Sequence, residues 1–297
     1  MIIGIDIGGT NFRIGTVDEN RKVYNLKKVS VKNVFHNEKV LESLKDFLCE
    51  YINESNYQIE AISIGFPATI NKERTKVLQA PNIKYIENLD VVEYLGNELN
   101  IPVYLEKDTT MLMYYDKNKY GLPDEGIISC IYFGTGVGSM LMIDGKVIKG
   151  RNGTAGELGH LYVEGNELVC GCGNVGCNES VVGGNYLDRL IKDKFIGTDI
   201  SDIFTFHNDD PLIKQYVDRM GVIVADIENI LDPDYVILGG GVLNTKDFPK
   251  ELLIERILVH TRKPLPADNM NLIFAEESIE KGVVGAANYA YSMLNNH

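Results

Sequence analysis

The sequence lacks an excess of positive charge. Its 297 residues include 29 Lys or Arg and 42 Asp or Glu, so the formal net charge is −13 and the isoelectric point is about 4.9. A surface that binds nucleic acid or an anionic membrane needs many cations to neutralise phosphate groups. We therefore expect neither partner, although local backbone amides can still hold a small anionic ligand.

Long apolar runs are also missing. No window reaches the roughly 18 apolar residues of a membrane-spanning helix. The opening residues Met1-Ile2-Ile3-Gly4-Ile5-Asp6 contain no basic segment, so we do not expect a signal peptide. With 44% hydrophobic and 24% charged residues, the composition is that of a globular protein, and the length favours two lobes.

Cysteine is scarce, and three of the five cysteines lie within eight residues. These are Cys170, Cys172 and Cys177, and His160 precedes the first of them by ten residues. One histidine and three thiolates complete the tetrahedral ligand set of a structural zinc site; the alternative is four unliganded residues. Clustered thiols of this kind favour a reducing compartment over disulfides, which predicts a cytoplasmic protein.

Two glycine-rich turns each join a pair of predicted strands. Gly8-Gly9-Thr10 lies between strands at residues 2–7 and 12–17, and Gly134-Thr135-Gly136 lies between strands at 126–133 and 139–143. The amides of such turns can hold phosphate, although either could be a plain glycine hairpin. The repetition of strand, turn and strand predicts two related lobes.

A third glycine run, Gly239-Gly240-Gly241, follows a predicted buried strand and is expected to precede a helix. Its backbone could lie close to a nucleotide, or it could be a flexible connection.

Asp108 follows a predicted strand at residues 102–105 and lies just before the N-terminus of a helix expected from about Met111. Ligands of α/β sheets bind at the carboxyl ends of strands, so Asp108 is a candidate catalytic carboxylate. Its alternative role is that of a helix N-cap.

Taken in order, Asp6-Ile7-Gly8-Gly9-Thr10, the second glycine turn, the His160 and cysteine cluster and Leu238-Gly239-Gly240-Gly241 span nearly the whole chain. In this combination the chain resembles the ROK family of sugar kinases and repressors, within the hexokinase and actin superfamily. It is most similar to bacterial D-allose kinases of that family. The features shared with D-allose kinases include Arg13 and Arg74-Thr75. Lys107 is a further one, and it stands where ROK glucokinases usually have Asn. The chain also departs from the usual ROK pattern at Asn11, where many members of the family have Lys.

The resemblance implies a two-lobed α/β fold of the actin-like ATPase (ribonuclease H-like) kind with a zinc-binding loop. The first lobe is expected to comprise residues 1–117 with a C-terminal helix at about 282–297, and the second lobe residues 118–281. The resemblance also implies a homodimer, and two lobes that close over ATP and a hexose.

The resemblance further implies a role for each candidate residue. Asp108 would be the general base for the 6-hydroxyl of the hexose, and Asp6 would hold Mg2+ that accompanies ATP, unless it is only a strand-end carboxylate. The remaining ATP and phosphate contacts would come from Gly8, Gly9, Thr10, Arg13, Gly134, Thr135, Gly136, Gly240 and Gly241. The sugar contacts would come from Gly65, Asn82, Asp108, Glu157, His160 and Glu179, and the zinc ligands would be His160, Cys170, Cys172 and Cys177.

Several alternatives remain open. Glu157 and Glu179 could support the zinc ligands instead of binding sugar. D-Allose is the expected substrate, but an N-acetylmannosamine kinase, a glucokinase or a β-glucoside kinase would share these motifs, since one or two side chains decide hydroxyl selectivity. A ROK regulator is not expected, because the predicted hairpin with the first glycine turn begins at residue 2 and leaves no room for a helix-turn-helix before it. An actin-like filament ATPase is disfavoured by the cysteine cluster.

Overall fold

The computed structural model of the protein describes residues 1–80 and 83–295. The strands are, in chain order, β1 (Ile2–Ile7), β2 (Asn11–Val17), β3 (Val23–Ser30), β4 (Ala61–Phe66), β5 (Thr69–Ile70), β6 (Val77–Gln79), β7 (Val103–Lys107), β8 (Ile127–Phe133), β9 (Val137–Ile143), β10 (Lys146–Val147), β11 (Tyr235–Gly239) and β12 (Leu272–Phe274). The α-helices are α1 (Val31–Val34), α2 (Val40–Glu54), α3 (Val91–Leu99), α4 (Asp108–Lys119), α5 (Glu179–Val182), α6 (Gly184–Lys194), α7 (Ile203–His207), α8 (Pro211–Leu231), α9 (Lys250–His260) and α10 (Lys281–Asn295).

The chain forms two compact units. Unit 1 contains Met1–Leu122, Lys149–Ala155 and the residues from Ser278 onward, and unit 2 contains Pro123–Ile148 and Gly156–Glu277. The expected second lobe, residues 118–281, differs from unit 2 by a few residues at each end. It also differs because Lys149–Ala155 packs with unit 1, where Arg74 donates a hydrogen bond to the Gly153 carbonyl. Across residues 1–80 and 83–295, no helix has the length and apolarity needed to cross a membrane.

Unit 1 is built on a mixed sheet with the order β3-β2-β1-β4-β7. The β1, β2 and β3 strands are antiparallel neighbours, whereas β1, β4 and β7 run parallel. Alternate residues of β1 point to opposite faces: Ile3, Ile5 and Ile7 pack with α2 in one core, and Gly4 faces α10. The parallel strands β1 and β4 are buried and mostly apolar, as is usual for strands covered on both faces, whereas β7 ends in the buried polar residues Glu106 and Lys107.

Helix α10 lies very close to this sheet. A β-carbon on Gly4 would overlap the Val283 carbonyl, and one on Gly285 would overlap the Met111 carbonyl of α4. The small residues of α10 therefore let it approach both β1 and α4 at backbone distance. This contact fixes α4, which begins with Asp108.

Unit 2 repeats the same sheet order, β10-β9-β8-β11-β12, with antiparallel β8, β9 and β10 and parallel β8, β11 and β12. Its core joins the sheet to the long helix α8, which places Tyr216, Val217 and Met220 against it. The two units thus share one topology, and in each the first two strands form the hairpin that carries a glycine turn. The predicted α/β architecture is confirmed.

Candidate active site

The first glycine turn closes the β1–β2 hairpin of unit 1. Gly8 N donates to the Asn11 carbonyl at 2.8 Å, and the Thr10 carbonyl accepts from Val31 N at 2.9 Å. Gly9 and Thr10 are exposed at the tip. The turn is held from both ends while the backbone between them remains accessible to a ligand, as a phosphate-binding turn requires.

Asp6 and Arg13 form an ion pair just below this turn. They oppose each other across β1 and β2, and Arg13 Nη1 donates to Asp6 Oδ2 at 2.8 Å. Burial raises the pKa of Asp6, and the Arg13 charge opposes that rise. A β-carbon on Gly282 would overlap the Asp6 side chain, so the start of α10 also packs on this carboxylate. Arg13, predicted as a phosphate contact, is therefore also the partner of the predicted magnesium ligand.

Asp108 is the first residue of α4, and β7 runs directly into that helix. The predicted helix start near Met111 is wrong by three residues. The N-cap position belongs to Lys107, which makes no side-chain capping bond, so the N-cap alternative for Asp108 is also wrong. Asp108 Oδ1 instead accepts from the adjacent Thr109 N at 2.8 Å. The strand reaches the helix without a loop, because the last strand residue, Lys107, is extended and the next residue is already helical.

The carboxylate of Asp108 has a strongly altered acidity. Burial, followed by the negative charge of Asp6, raises its pKa to about 7, although the hydrogen bond from Thr109 N and the charge of Lys107 act in the opposite direction. A carboxylate that titrates near neutral pH is matched to proton transfer at that pH. Asp108 therefore has the acidity expected of a general base.

Gly65, predicted as a sugar contact, lies beneath α4. It sits in β4 between Asp6 of β1 and Glu106 of β7 in the register of the sheet. A β-carbon there would come within 2.8 Å of Met111 Cγ and 3.5 Å of Asp108 Cα. Gly65 thus allows the helix that starts with Asp108 to approach the sheet. Asn82, also predicted to bind sugar, lies outside the described residues.

The second glycine turn, in unit 2, is anchored on the start of α6. Gly184 N donates to the Gly134 carbonyl at 2.8 Å, and Asn185 N donates to the Thr135 carbonyl at 2.9 Å. A β-carbon on Gly183 would lie 2.9 Å from the Thr135 carbonyl, and one on Gly184 would lie 2.7 Å from that of Gly134. Sequence reasoning missed this role of Gly183 and Gly184, although a glycine pair at a helix start is a signal for close backbone approach.

Glu179 connects this turn to the cysteine cluster. Its Oε2 accepts from Val137 N at 3.0 Å, and its Oε1 lies 3.6 Å from Cys170 Sγ. A β-carbon on Gly136 would overlap the Glu179 carboxylate. The glycine at 136 therefore makes room for a carboxylate that was predicted from sequence to bind sugar or support zinc.

The side chains of His160, Cys170, Cys172 and Cys177 converge, with all ligand atoms within 4.8 Å of one another. Cys172 Sγ and Cys177 Sγ are 3.7 Å apart, and Cys170 Sγ is 3.6 Å from His160 Nδ1. Tetrahedral zinc with ordinary bond lengths separates two sulfurs by about 3.8 Å and a sulfur from a nitrogen by about 3.6 Å. The donor set and its spacing thus fit zinc.

His160 turns its two ring nitrogens in different directions. Nδ1 faces Cys170, whereas Nε2 lies 3.8 Å from Glu157 Oε2. Leu158–His160 forms a single 3-10 turn that begins after Glu157, and this turn places both side chains together. Such an arrangement leaves Nε2 for an interaction outside the cluster, with the ring orientation set by Nδ1.

The third glycine run differs from its prediction. After β11 the chain makes a turn, and α9 begins only at Lys250, so Gly239-Gly240-Gly241 does not open a helix. Gly240 has φ +98°, and a β-carbon there would overlap Phe133. Val242 N donates to the Phe133 carbonyl at 3.0 Å. This hydrogen bond holds the run against β8. The left-handed conformation of Gly240 and its close contact with Phe133 explain why the residue there is glycine.

Each unit therefore gathers part of the predicted site. Unit 1 brings Asp108 into electrostatic contact with Asp6 below the first glycine turn. Unit 2 brings the cysteine cluster, Glu157 and Glu179 together with the second glycine turn.

Comparison with known proteins shows which family shares this sequence and fold. The model of the ROK family matches residues 2–292. A glucokinase of Thermotoga maritima is 27% identical, with 96% of each chain covered. A xylose repressor of Caldicellulosiruptor bescii is 28% identical, over 86% of this chain and 68% of the repressor. A solved ROK family glucokinase of Streptomyces griseus, in complex with glucose and AMPPNP, has a TM-score of 0.80 and 25% identity, with 98% of this chain and 99% of that chain covered. The chain belongs to the ROK family.

Proposed function

We propose that this protein is an ATP-dependent sugar kinase that phosphorylates the 6-hydroxyl of a hexose. The observation that carries the proposal is Asp108, a carboxylate with a pKa of about 7 at the carboxyl end of β7 and electrostatically coupled to Asp6. The glucokinase of Streptomyces griseus, which shares this fold, was solved with glucose and a nucleotide, and that supports the same pair of ligands here.

Asp108 is the general base. It accepts the proton of the 6-hydroxyl while the sugar oxygen forms a bond to the γ-phosphorus and the bond from that phosphorus to the ADP oxygen breaks. The products are the hexose 6-phosphate and ADP. Its raised pKa supports this role, because the protonated form that arises during transfer is stable near neutral pH.

The glycine turns would bind the phosphates of ATP through their backbone amides. The turn of Gly8, Gly9 and Thr10 presents exposed backbone for the β- and γ-phosphates, and Gly134-Thr135-Gly136 is the second phosphate turn. Gly240 and Gly241 would lie near adenosine, and Arg13 would add positive charge. The Asp6 carboxylate offers oxygen atoms, which are the ligands that Mg2+ prefers, and would hold the ion through water. Bound there, Mg2+ supplies charge neutralisation for the phosphates.

Glu157, His160 and Glu179 would bind the sugar hydroxyls, with Gly65 and Asn82 as further contacts. The cysteine cluster would hold structural zinc and thereby fix the His160 ring. A closed set of three cysteines and one histidine leaves no coordination position for a reacting water, so the zinc would support the site and take no part in the reaction.

D-Allose is the first hexose to test. Lys107 is buried directly before Asp108, where ROK glucokinases usually carry Asn, and this exchange supports a hydroxyl pattern other than that of glucose. N-acetylmannosamine, glucose and β-glucosides are the competing substrates. The family resemblance also supports a homodimer, which light scattering coupled to gel filtration would test.

The experiment is an ATP-consumption screen with D-allose, D-glucose, D-mannose, N-acetylmannosamine and cellobiose, each ranked by kcat/KM. Phosphorus NMR of the product locates the phosphate, and the 6-deoxy analogue of the best sugar is the substrate control. Asp108→Asn is the protein control and should lose at least about 10³-fold in kcat. A protein that consumes ATP with none of these sugars, or an Asp108→Asn variant with unchanged turnover, would refute the proposal.

A further inference from the structure

Arg74 is a buried arginine to which none of the roles above has been assigned. Its side chain is only 4% exposed, and its backbone adopts φ +61°, a left-handed conformation that disfavours any residue with a β-carbon. Glycine would suit this backbone better. The arginine side chain must therefore make interactions that outweigh the conformational strain.

One of these interactions is an ion pair at the end of the strand that leads to the base. Arg74 Nε donates to Glu106 Oε2 at 2.9 Å, and the Glu106 side chain is fully buried. The other carboxylate oxygen, Oε1, accepts from Lys107 N at 2.9 Å. Glu106 stands two residues before Asp108, so Arg74 holds a carboxylate that in turn holds the backbone next to the base.

Arg74 also holds a loop that is distant in sequence. Its Nη1 donates to the Gly153 carbonyl at 3.0 Å and lies within 3.3 Å of the Ile70 carbonyl. The loop Lys149–Ala155 is closed on itself by Ala155 N, which donates to the Lys149 carbonyl at 3.1 Å. A β-carbon on Gly153 would lie 2.9 Å from Arg74 Nη1, so glycine is needed for this approach.

We propose that Arg74 is a positioning residue that joins the strand end before Asp108 and the loop Lys149–Ala155 into one rigid part of unit 1. The proposal rests on the kinase function above, because the base follows Glu106 by two residues and the next residues after the loop are Gly156 and Glu157. A buried ion pair is not in itself more stabilising than apolar residues of the same volume. The planar guanidinium can hold Glu106 and Gly153 together because its donors are spread in a fixed fork.

The test compares Arg74→Lys with Asp116→Asn. Lysine keeps the charge but not the fork of donors. Asp116 belongs to a second buried ion pair of the same unit, with Lys281 Nζ at 2.8 Å from its Oδ2, and lies eight residues beyond the base. Each variant is assayed for kcat and for KM of sugar and ATP, at a temperature where circular dichroism shows it folded, and its amide hydrogen exchange is measured by mass spectrometry.

For Arg74→Lys we expect kcat to fall about tenfold or more, because small displacements of a reacting group are costly, and exchange to accelerate at both 104–110 and 149–155. For Asp116→Asn we expect kcat within twofold of wild type and unchanged exchange at 149–155. If Arg74→Lys leaves either kcat or exchange at 149–155 unchanged, Arg74 is not a positioning residue.

Two further outcomes are also decisive. If Arg74→Lys does not fold, Gly153→Ala replaces it. This variant keeps the ion pair but pushes the loop away from Nη1, so we expect kcat to fall and exchange to accelerate at 149–155. If the wild-type protein phosphorylates no sugar, the proposed function fails. Hydrogen exchange then decides alone whether Arg74 joins the two segments, because it requires no turnover.

Discussion

Asp108 and Asp6 are coupled carboxylates. Burial raises the pKa of Asp108 to about 7, and the negative charge of Asp6 contributes to that rise. Asp6 itself is paired with Arg13 at 2.8 Å, and the Arg13 charge opposes the rise in the pKa of Asp6 that its burial causes. The pair resembles other sites in which two neighbouring carboxyl groups have different acidities and therefore different roles.

This coupling predicts the pH dependence of catalysis. A base must be unprotonated in the free enzyme, so kcat/KM should fall about tenfold per pH unit below pH 7. In Asp6→Asn the repulsion is absent, so the acidic limb of the pH profile should move to lower pH, even though loss of the proposed magnesium ligand should lower the maximum. The measurement is kcat/KM between pH 5 and pH 9. An unchanged limb in Asp6→Asn would contradict the coupling.

The same pKa shift predicts that the Asp108 carboxylate destabilises the fold. A carboxyl group whose pKa is higher in the folded than in the unfolded state reduces stability as pH rises from the unfolded pKa, 3.8, to the folded pKa, about 7. Asp108→Asn removes that penalty and should raise the free energy of unfolding by up to about 4 kcal/mol at pH 8, at 1.36 kcal/mol per pKa unit. The gain should shrink by pH 5. Urea unfolding at both pH values tests this, and an equal gain at both would count against it.

Loss of zinc should affect folding as well as activity. Cys172→Ser removes one ligand of the cluster, so we expect metal content to fall well below one zinc per chain and the melting temperature to drop, since binding of a structural metal is coupled to folding. Cys49→Ser, on α2 of unit 1, is the matched control and should keep both. The measurements are elemental analysis and thermal unfolding with and without a chelator. A wild-type protein purified without zinc would contradict the assignment.

The contact between Gly136 and Glu179 predicts a sensitive glycine. Gly136→Ala should displace the Glu179 carboxylate and weaken its bond from Val137 N, and an overpacked position of this kind costs about 1–3 kcal/mol. We expect KM to rise for both ATP and sugar. Gly96→Ala is the control, because a β-carbon within α3 meets only an ordinary contact and should stabilise the helix by up to about 1 kcal/mol. Equal effects of the two substitutions would disprove a special role of Gly136.

Much of the fold could be predicted because its signals are local. Continuous apolar runs identify β1, β4, β8 and β11, since buried parallel strands need apolar residues on both faces. The helical spacing of apolar residues identifies α2 and α8. The spacing of three cysteines and one histidine predicts the cluster that the structure brings together, because those residue types at such short separations are typical of a metal ligand set.

The tertiary structure decided what depends on residues far apart in the chain. No local pattern relates Asp6 to Asp108, Arg74 to Glu106, or Arg74 to the carbonyl of Gly153. The charge of Asp6 contributes to the raised pKa of Asp108, and the contacts of Arg74 link the end of β7 to the loop Lys149–Ala155. The start of α4 at Asp108, rather than near Met111, has the same cause: α10, Gly65 and β7 together fix a helix whose own sequence does not mark its beginning. The sequence by itself determined which chemical groups the protein contains and which short segments present them. Their electrostatic environment was decided by packing, because burial and charge proximity are properties of the folded chain.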